Sequence, residues 1–211
     1  MTYRRSLVVA YVIVFSSLAI ILTFVRAEVP FPLLPYLKFD FAEVPVMIML
    51  LLIGPFPALV TEVIHWISLT LARGWFLGPL MKFLAVTPMI FGFWLGIKLY
   101  KKLKRSHFNF TVAFALGIFF GIVLRVFVCS FTNIVVFLFV MPEYLNFAEW
   151  MLKSVGIAIN STIDVWVWTL LLTGIFNALH VTISSVIAAI TFKGAALRVP
   201  NLAEKAWVTK K

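Results

Sequence analysis

Long apolar runs fill most of the chain, and the few polar or proline-rich intervals between them fix its elements. Ser6–Val25 is twenty residues without a charge, enough to span a bilayer as a helix at about 1.5 Å per residue. It is too long for a signal-peptide core and no clear small-x-small cleavage site follows, so a retained first span is expected. Arg26–Phe39 sets Pro30, Pro32 and Pro35 among Phe and Leu. Prolines at that density exclude a regular helix, so the stretch reads as an apolar loop, buried against protein or covering a cavity. Val44–Ala72 is 29 residues, about 44 Å as one helix and too long for a bilayer core without strong tilt. Gly54-Pro55-Phe56-Pro57 removes adjacent ladder bonds and splits it into two short helices.

The later runs predict spans over 80–100, 108–141 and 161–192, the middle one longer than a crossing needs. With 6–25, 43–54 and 56–72 they make an all-α integral membrane protein of six transmembrane helices, one domain over 1–211. An outer lid loop lies at 26–42, and an outer loop at Pro142–Lys153 carries Tyr144 and Trp150 at interface depth. A basic cytoplasmic loop at 101–107 and a cytoplasmic tail at 193–211 complete the chain.

Composition agrees: 63% of residues are hydrophobic and 12% charged, far from the balance of a soluble domain. The net charge of +10 would suit nucleic acid, but its placement points to a membrane instead. Lys98, Lys101, Lys102, Lys104 and Arg105 cluster in one loop; Lys193, Arg198, Lys205, Lys210 and Lys211 cluster in the tail. This is the positive-inside pattern of a multi-pass protein of the cell membrane, with attraction to anionic lipid headgroups following from it. Arg4 and Arg5 join that set if the N-terminus is cytoplasmic; a five-span count would place Arg26 and Lys38 there instead, so charge alone does not separate the two. The single cysteine, Cys129, allows no intramolecular disulfide.

Polar residues inside apolar runs are costly, so each is a candidate for function or for a buried partner. Asp40 and Glu43 have capping-box spacing at the start of the 43–54 run, with Pro45 early in that helix. Glu62 and His65 sit one turn apart, as a hydrogen-bonded pair, a contact for Arg125 or part of a metal site. Arg125, Cys129, Thr132 and Asn133 share one helical face; Arg125 either pairs with Glu62 or Asp164 or faces a ligand. Asn133 carries an amide suited to a polar heteroaromatic edge. Asn177, His180 and Ser184 share a face of the last span, and Asp164 either caps that span or faces a ligand. Lys82 opens the fourth span and either snorkels or contacts a ligand. The chain has no enzymatic acid–base pair, metal cluster or phosphate-binding loop of recognisable spacing.

The stretch PFPLLPYLKFDFAEVPVMI…IGPFPALVTEVIHWI resembles the S components of energy-coupling factor (ECF) vitamin transporters, above all the riboflavin-specific ones. Their K-[FY]-D-x-[SA]-[DE]-[IV]-P signature is matched by Lys38, Phe39, Asp40, Ala42, Glu43, Val44 and Pro45, followed by Gly54-Pro55 and Glu62. Asn133, Pro142 and Ile175-Phe176-Asn177 extend the likeness more weakly. Val14 and Lys82 depart from it, standing where the family usually has alanine and asparagine. The resemblance implies a membrane subunit that captures riboflavin from outside and passes it to a transmembrane coupling subunit driven by two cytoplasmic ATPases. It implies no cofactor and no catalysis. Asn133, Asn177, Asp164 and Lys82 would read the polar edges of the ligand, under a lid that includes Tyr36, Leu37, Lys38 and Phe39. Asp40, Glu43, Glu62 and Arg125 would form a charge network. Alternatives are an S component for another vitamin, a lipid-directed membrane enzyme using Glu62, His65 and Arg125, and a purely structural subunit.

Overall fold

In the computed structural model, residues 5–103 and 108–209 are described. Arg4, Lys104, Arg105, Lys210 and Lys211, part of the basic pattern above, lie outside them. The order is α1 (Arg5–Phe24), β1 (Glu28–Phe31), β2 (Leu34–Asp40), α2 (Glu43–Leu52), α3 (Pro55–Arg73), α4 (Leu77–Leu103) and α5 (Phe110–Val135). A π-helical turn (Val136–Val140), α6 (Glu143–Ser154), α7 (Thr162–Arg198) and α8 (Pro200–Lys205) follow.

The proline-rich interval is not an irregular loop. It folds into an antiparallel hairpin in which Glu28 pairs with Asp40, Val29 with Phe39 and Pro30 with Lys38, and the register shifts between Pro30 and Phe31. Two strands have only edges, so the missing Pro30 N–H is placed where no ladder bond is lost. The all-α expectation is therefore amended by one small sheet. The Pro142–Lys153 interval, expected as a loop, is also ordered, as the amphipathic helix α6.

Five described helices are long and apolar enough to cross a membrane: α1, α3, α4, α5 with its π turn, and α7. The helix α2 is different, with only ten residues, all of them buried. Its break from α3 falls where Gly-Pro-x-Pro demands it: Gly54 has φ +122°, open to glycine alone without strain, and Pro55 starts α3 where its missing N–H costs nothing. The C-terminal chain closes this break. Trp207 and Val208 donate their backbone N–H groups to the Leu52 and Leu51 carbonyls at 2.8 and 3.1 Å, occupying acceptors that a helix end leaves open. The Trp207 ring lies against Gly54, and Lys101 donates to the Trp207 carbonyl at 2.9 Å.

The tightest crossing is between α4 and α5. Gly92 and Gly96 face the α5 backbone so closely that a Cβ on them would sit 2.3 Å from the Phe120 carbonyl oxygen and 2.4 Å from that of Leu116. The glycine pair is thus a packing face, and Gly117 reciprocates by accepting the Phe93 ring. This contact fixes Arg125 on α5 against α2 and α7.

Candidate functional site

Beneath the hairpin lies a cavity of about 250 Å³, bounded by α3, α4, α5 and α7. Its floor is a saturated polar network. Arg125 is 2% exposed and Glu43 1%, and the two form a bidentate pair: Nη1 donates to Oε2 at 2.6 Å and Nη2 to Oε1 at 3.0 Å. Arg125 Nε donates to Asn177 Oδ1 at 2.8 Å, and Asn177 Nδ2 donates to the Thr173 carbonyl at 2.9 Å. Arg125 Nη2 also lies 3.0 Å from His180 Nδ1. An arginine only donates, so Nδ1 accepts, and Nε2 meets the Asp40 backbone, 3.1 Å from its nitrogen and 3.2 Å from its carbonyl oxygen. One guanidinium thereby joins α2, α5 and α7, and His180 passes the connection to the hairpin.

The hairpin is held from two further directions. Asp40 Oδ2 pairs with Lys82 of α4, while Oδ1 accepts from Ala42 N at 2.8 Å. Phe39 packs against Phe176 with ring centroids 4.9 Å apart and planes tilted by 36°, and meets the His180 ring edge-on at 5.6 Å. Phe31 reaches the same Phe176 at 5.8 Å. The buried faces of Phe31 and Leu34 complete an aromatic–aliphatic seal with α6 and α7.

Several expected roles need correction. Asp40 and Glu43 do not form a capping box: Ala42 precedes α2 with helical angles and no side-chain cap, and Glu43 turns to Arg125 instead of back to the hairpin. Arg125 pairs with neither Glu62 nor Asp164. Glu62 is bonded to His65 at 3.4 Å, and His65 Nε2 lies 2.9 Å from Thr23 Oγ1 on α1, away from the cavity. Asp164 also lies outside the cavity, at the start of α7, where it accepts from Asn160 N and Ser161 N while Ser161 Oγ caps its own N–H. Phe39 braces the wall without lining it.

The cavity does bring together Tyr36, Leu37 and Lys38 of the hairpin with Lys82, Asn133 and Asn177, above Arg125 and Glu43. Lys38 is paired with Glu28 across the hairpin. The Asn133 side chain makes no hydrogen bond to the described residues, so its amide is open to the cavity, which exposed Arg73 also lines. Arg73 and Thr173 were not singled out from the sequence, and Phe176 entered only as part of the Ile175-Phe176-Asn177 resemblance. Thr173 lies one turn before Asn177, so extending the Asn177–His180–Ser184 face upstream would have found it. Arg73 falls between the 56–72 and 80–100 runs, where a charged residue is ordinary and carries no signal. Among the described residues no group of three or more His, Cys, Asp or Glu side chains is placed to hold a metal.

No protein-family model matches the chain, and no curated protein does. A search of solved structures finds the S component of a bacterial ECF transporter, at 22% identity and a TM-score of 0.63, over 93% of this chain and 99% of that one. At that identity the likeness is one of fold: the chain shares the architecture of an ECF transporter S component.

Proposed function

We propose that this protein is the substrate-binding subunit of an ECF-type importer and that it captures riboflavin. The observation that carries the reading is a cavity closed by the signature-bearing hairpin, floored by a saturated Arg125–Glu43 network and edged by the open amide of Asn133. A saturated floor is a rigid scaffold, and an amide without a protein partner offers both donor and acceptor to a heterocycle. Function is binding without chemistry. Transport falls to a transmembrane coupling subunit and two ATPases, with the termini cytoplasmic and the hairpin outside. In this reading α2 is a sixth, shortened crossing in the cell membrane. All ten of its residues are buried, and at its C-terminal end protein N–H groups occupy the Leu51 and Leu52 carbonyls.

A smaller polar vitamin is the second reading. Arg73, Lys82 and Arg125 all border the cavity, whereas only Tyr36 and Phe176 bring aromatic rings to it. The absorption spectrum of detergent-purified protein, loaded with riboflavin and washed, separates the two. A flavin band near one equivalent supports riboflavin. No band, with no quenching of flavin fluorescence on titration, refutes it and directs the search to thiamine, biotin, pantothenate and folate.

A further inference from the structure

A second cavity, about 470 Å³ and almost wholly apolar, lies beside the first between the hairpin, the π-helical turn and α6. Phe137, Glu143, Tyr144 and Phe147 line it, and so does Tyr36. Tyr36 is therefore common to both cavities, and its ring packs on Phe147 at 5.9 Å. The two spaces differ in chemistry: the inner one has charged and amide walls, the outer one four aromatic rings and a single charged residue, Glu143. The side chain they share belongs to a two-stranded hairpin, and a side chain can change rotamer without a change of backbone.

We propose that the two cavities are one site divided by Tyr36, and that Tyr36 is the residue that sets which ligands fit. The hydrogen-bonding edge of a planar ligand occupies the inner chamber. The apolar end of its ring system displaces Tyr36 toward Phe147 and enters the outer chamber, where it gains ring contacts of the kind aromatic groups favour. The inference rests on the small-molecule-binding reading above and adds a substrate class to it: fused-ring ligands with one polar and one apolar end, in preference to compact polar ones. The π-helical turn contributes by moving Phe137 off the regular α5 spiral, a local change of winding found often at functional sites.

The test compares two probes on the full-length protein in detergent by fluorescence titration. Riboflavin has both ends. A ribityllumazine keeps the pyrimidinedione edge and the ribityl chain but lacks the benzenoid ring. Phe147→Ala and Tyr36→Ala are expected to weaken riboflavin by about tenfold while leaving ribityllumazine within about twofold. Tyr36→Phe is expected to keep both, since the ring and not the hydroxyl divides the chambers. Phe147→Ala alters a half-exposed ring on α6, so it serves even if Tyr36→Ala fails to fold. Equal loss for both probes, or no loss for either, overturns the two-chamber site while wild-type riboflavin binding leaves the functional reading standing. Failure of the wild type to bind either probe overturns both.

Discussion

Replacing Arg125 with methionine tests the network on which the site is built. Met approximates the length of the aliphatic stem and removes the charge. The structure then leaves Glu43, 1% exposed, without the two donors that hold it at 2.6 and 3.0 Å, and leaves Asn177 Oδ1 and His180 Nδ1 without theirs. Breaking a buried ion pair from one side costs about 3–5 kcal/mol, because a charge remains without compensation. The two neutral contacts add about 1 kcal/mol together, given about 0.6 kcal/mol for an interhelical hydrogen bond in a membrane bundle. Glu43→Leu alone should be similarly costly, since it leaves the guanidinium unpaired. The double variant Glu43→Leu/Arg125→Met removes both charges and should cost less than about 2 kcal/mol, as apolar replacement of a whole buried pair is often near neutral. The assay is reversible unfolding in mixed micelles, read by circular dichroism, for wild type, both single variants and the double variant. The cycle isolates the pair. Additive single costs, or an Arg125→Met cost below about 1 kcal/mol, would refute the reasoning and show that the pair is water-exposed in the working protein.

Three other outcomes follow from the packing. Gly96→Ala should lose about 1–3 kcal/mol by forcing α4 from α5, because its Cβ would meet a backbone carbonyl at 2.4 Å, whereas Gly174→Ala, whose Cβ finds nothing nearer than 3.7 Å, should melt with the wild type. Trp207→Ala should raise hydrogen exchange at Ile53 and Gly54 selectively, since the indole covers that break, and unchanged exchange there would mean the tail is not docked in solution. Lys82→Met should free one of the hairpin's anchors through Asp40, raising ligand dissociation rate more than it lowers association rate in stopped-flow quenching; a changed association rate alone would point to charge steering instead.

Apolar runs and breaks carried the helical plan because each is a local signal: Ser6–Val25 has no charge to interrupt it, and Gly54-Pro55-Phe56-Pro57 allows no continuous helix. The hairpin was not legible for a local reason too. Its prolines rule out helix without ruling in strand, and the pairing that makes it a sheet is a property of two segments together. The same distinction governs the site. Asn133, Asn177 and Arg125 stood out because polar groups are rare in such runs, and the cavity does gather them. The partner of Arg125 was not readable from the spans, where Glu62 and Asp164 were the carboxylates weighed, because the approach of α2 to α5 that brings Glu43 to it is a tertiary property. Glu43 was assigned to capping by its spacing from Asp40, and only the resemblance placed it in a charge network with Arg125. A guanidinium 82 residues away outcompeted the local cap, as a bidentate charge-assisted contact should.

The helix α2 ties these observations to one physical consequence. It is about 15 Å long, too short to be stable by itself, and it contributes no surface to solvent or lipid. Distant chain grips it at both ends: Arg125 holds the Glu43 side chain at the start, and Val208 and Trp207 satisfy the Leu51 and Leu52 carbonyls at the end. A buried ten-residue helix moves as a rigid body, because the rearrangement of any one turn would open hydrogen bonds that nothing nearby can replace. Asp40, which anchors the hairpin to Lys82 and His180, lies three residues before it. Displacing the hairpin therefore pulls on the same short helix whose far end carries the Trp207 contact. The hairpin and the Trp207 contact are thus joined through α2 by continuous chain and hydrogen bonds. Hydrogen exchange at Ile53 and Gly54 measured in Lys82→Met, where nothing near the break is altered, reads this connection: raised exchange supports it, and exchange equal to wild type means that the hairpin moves without α2.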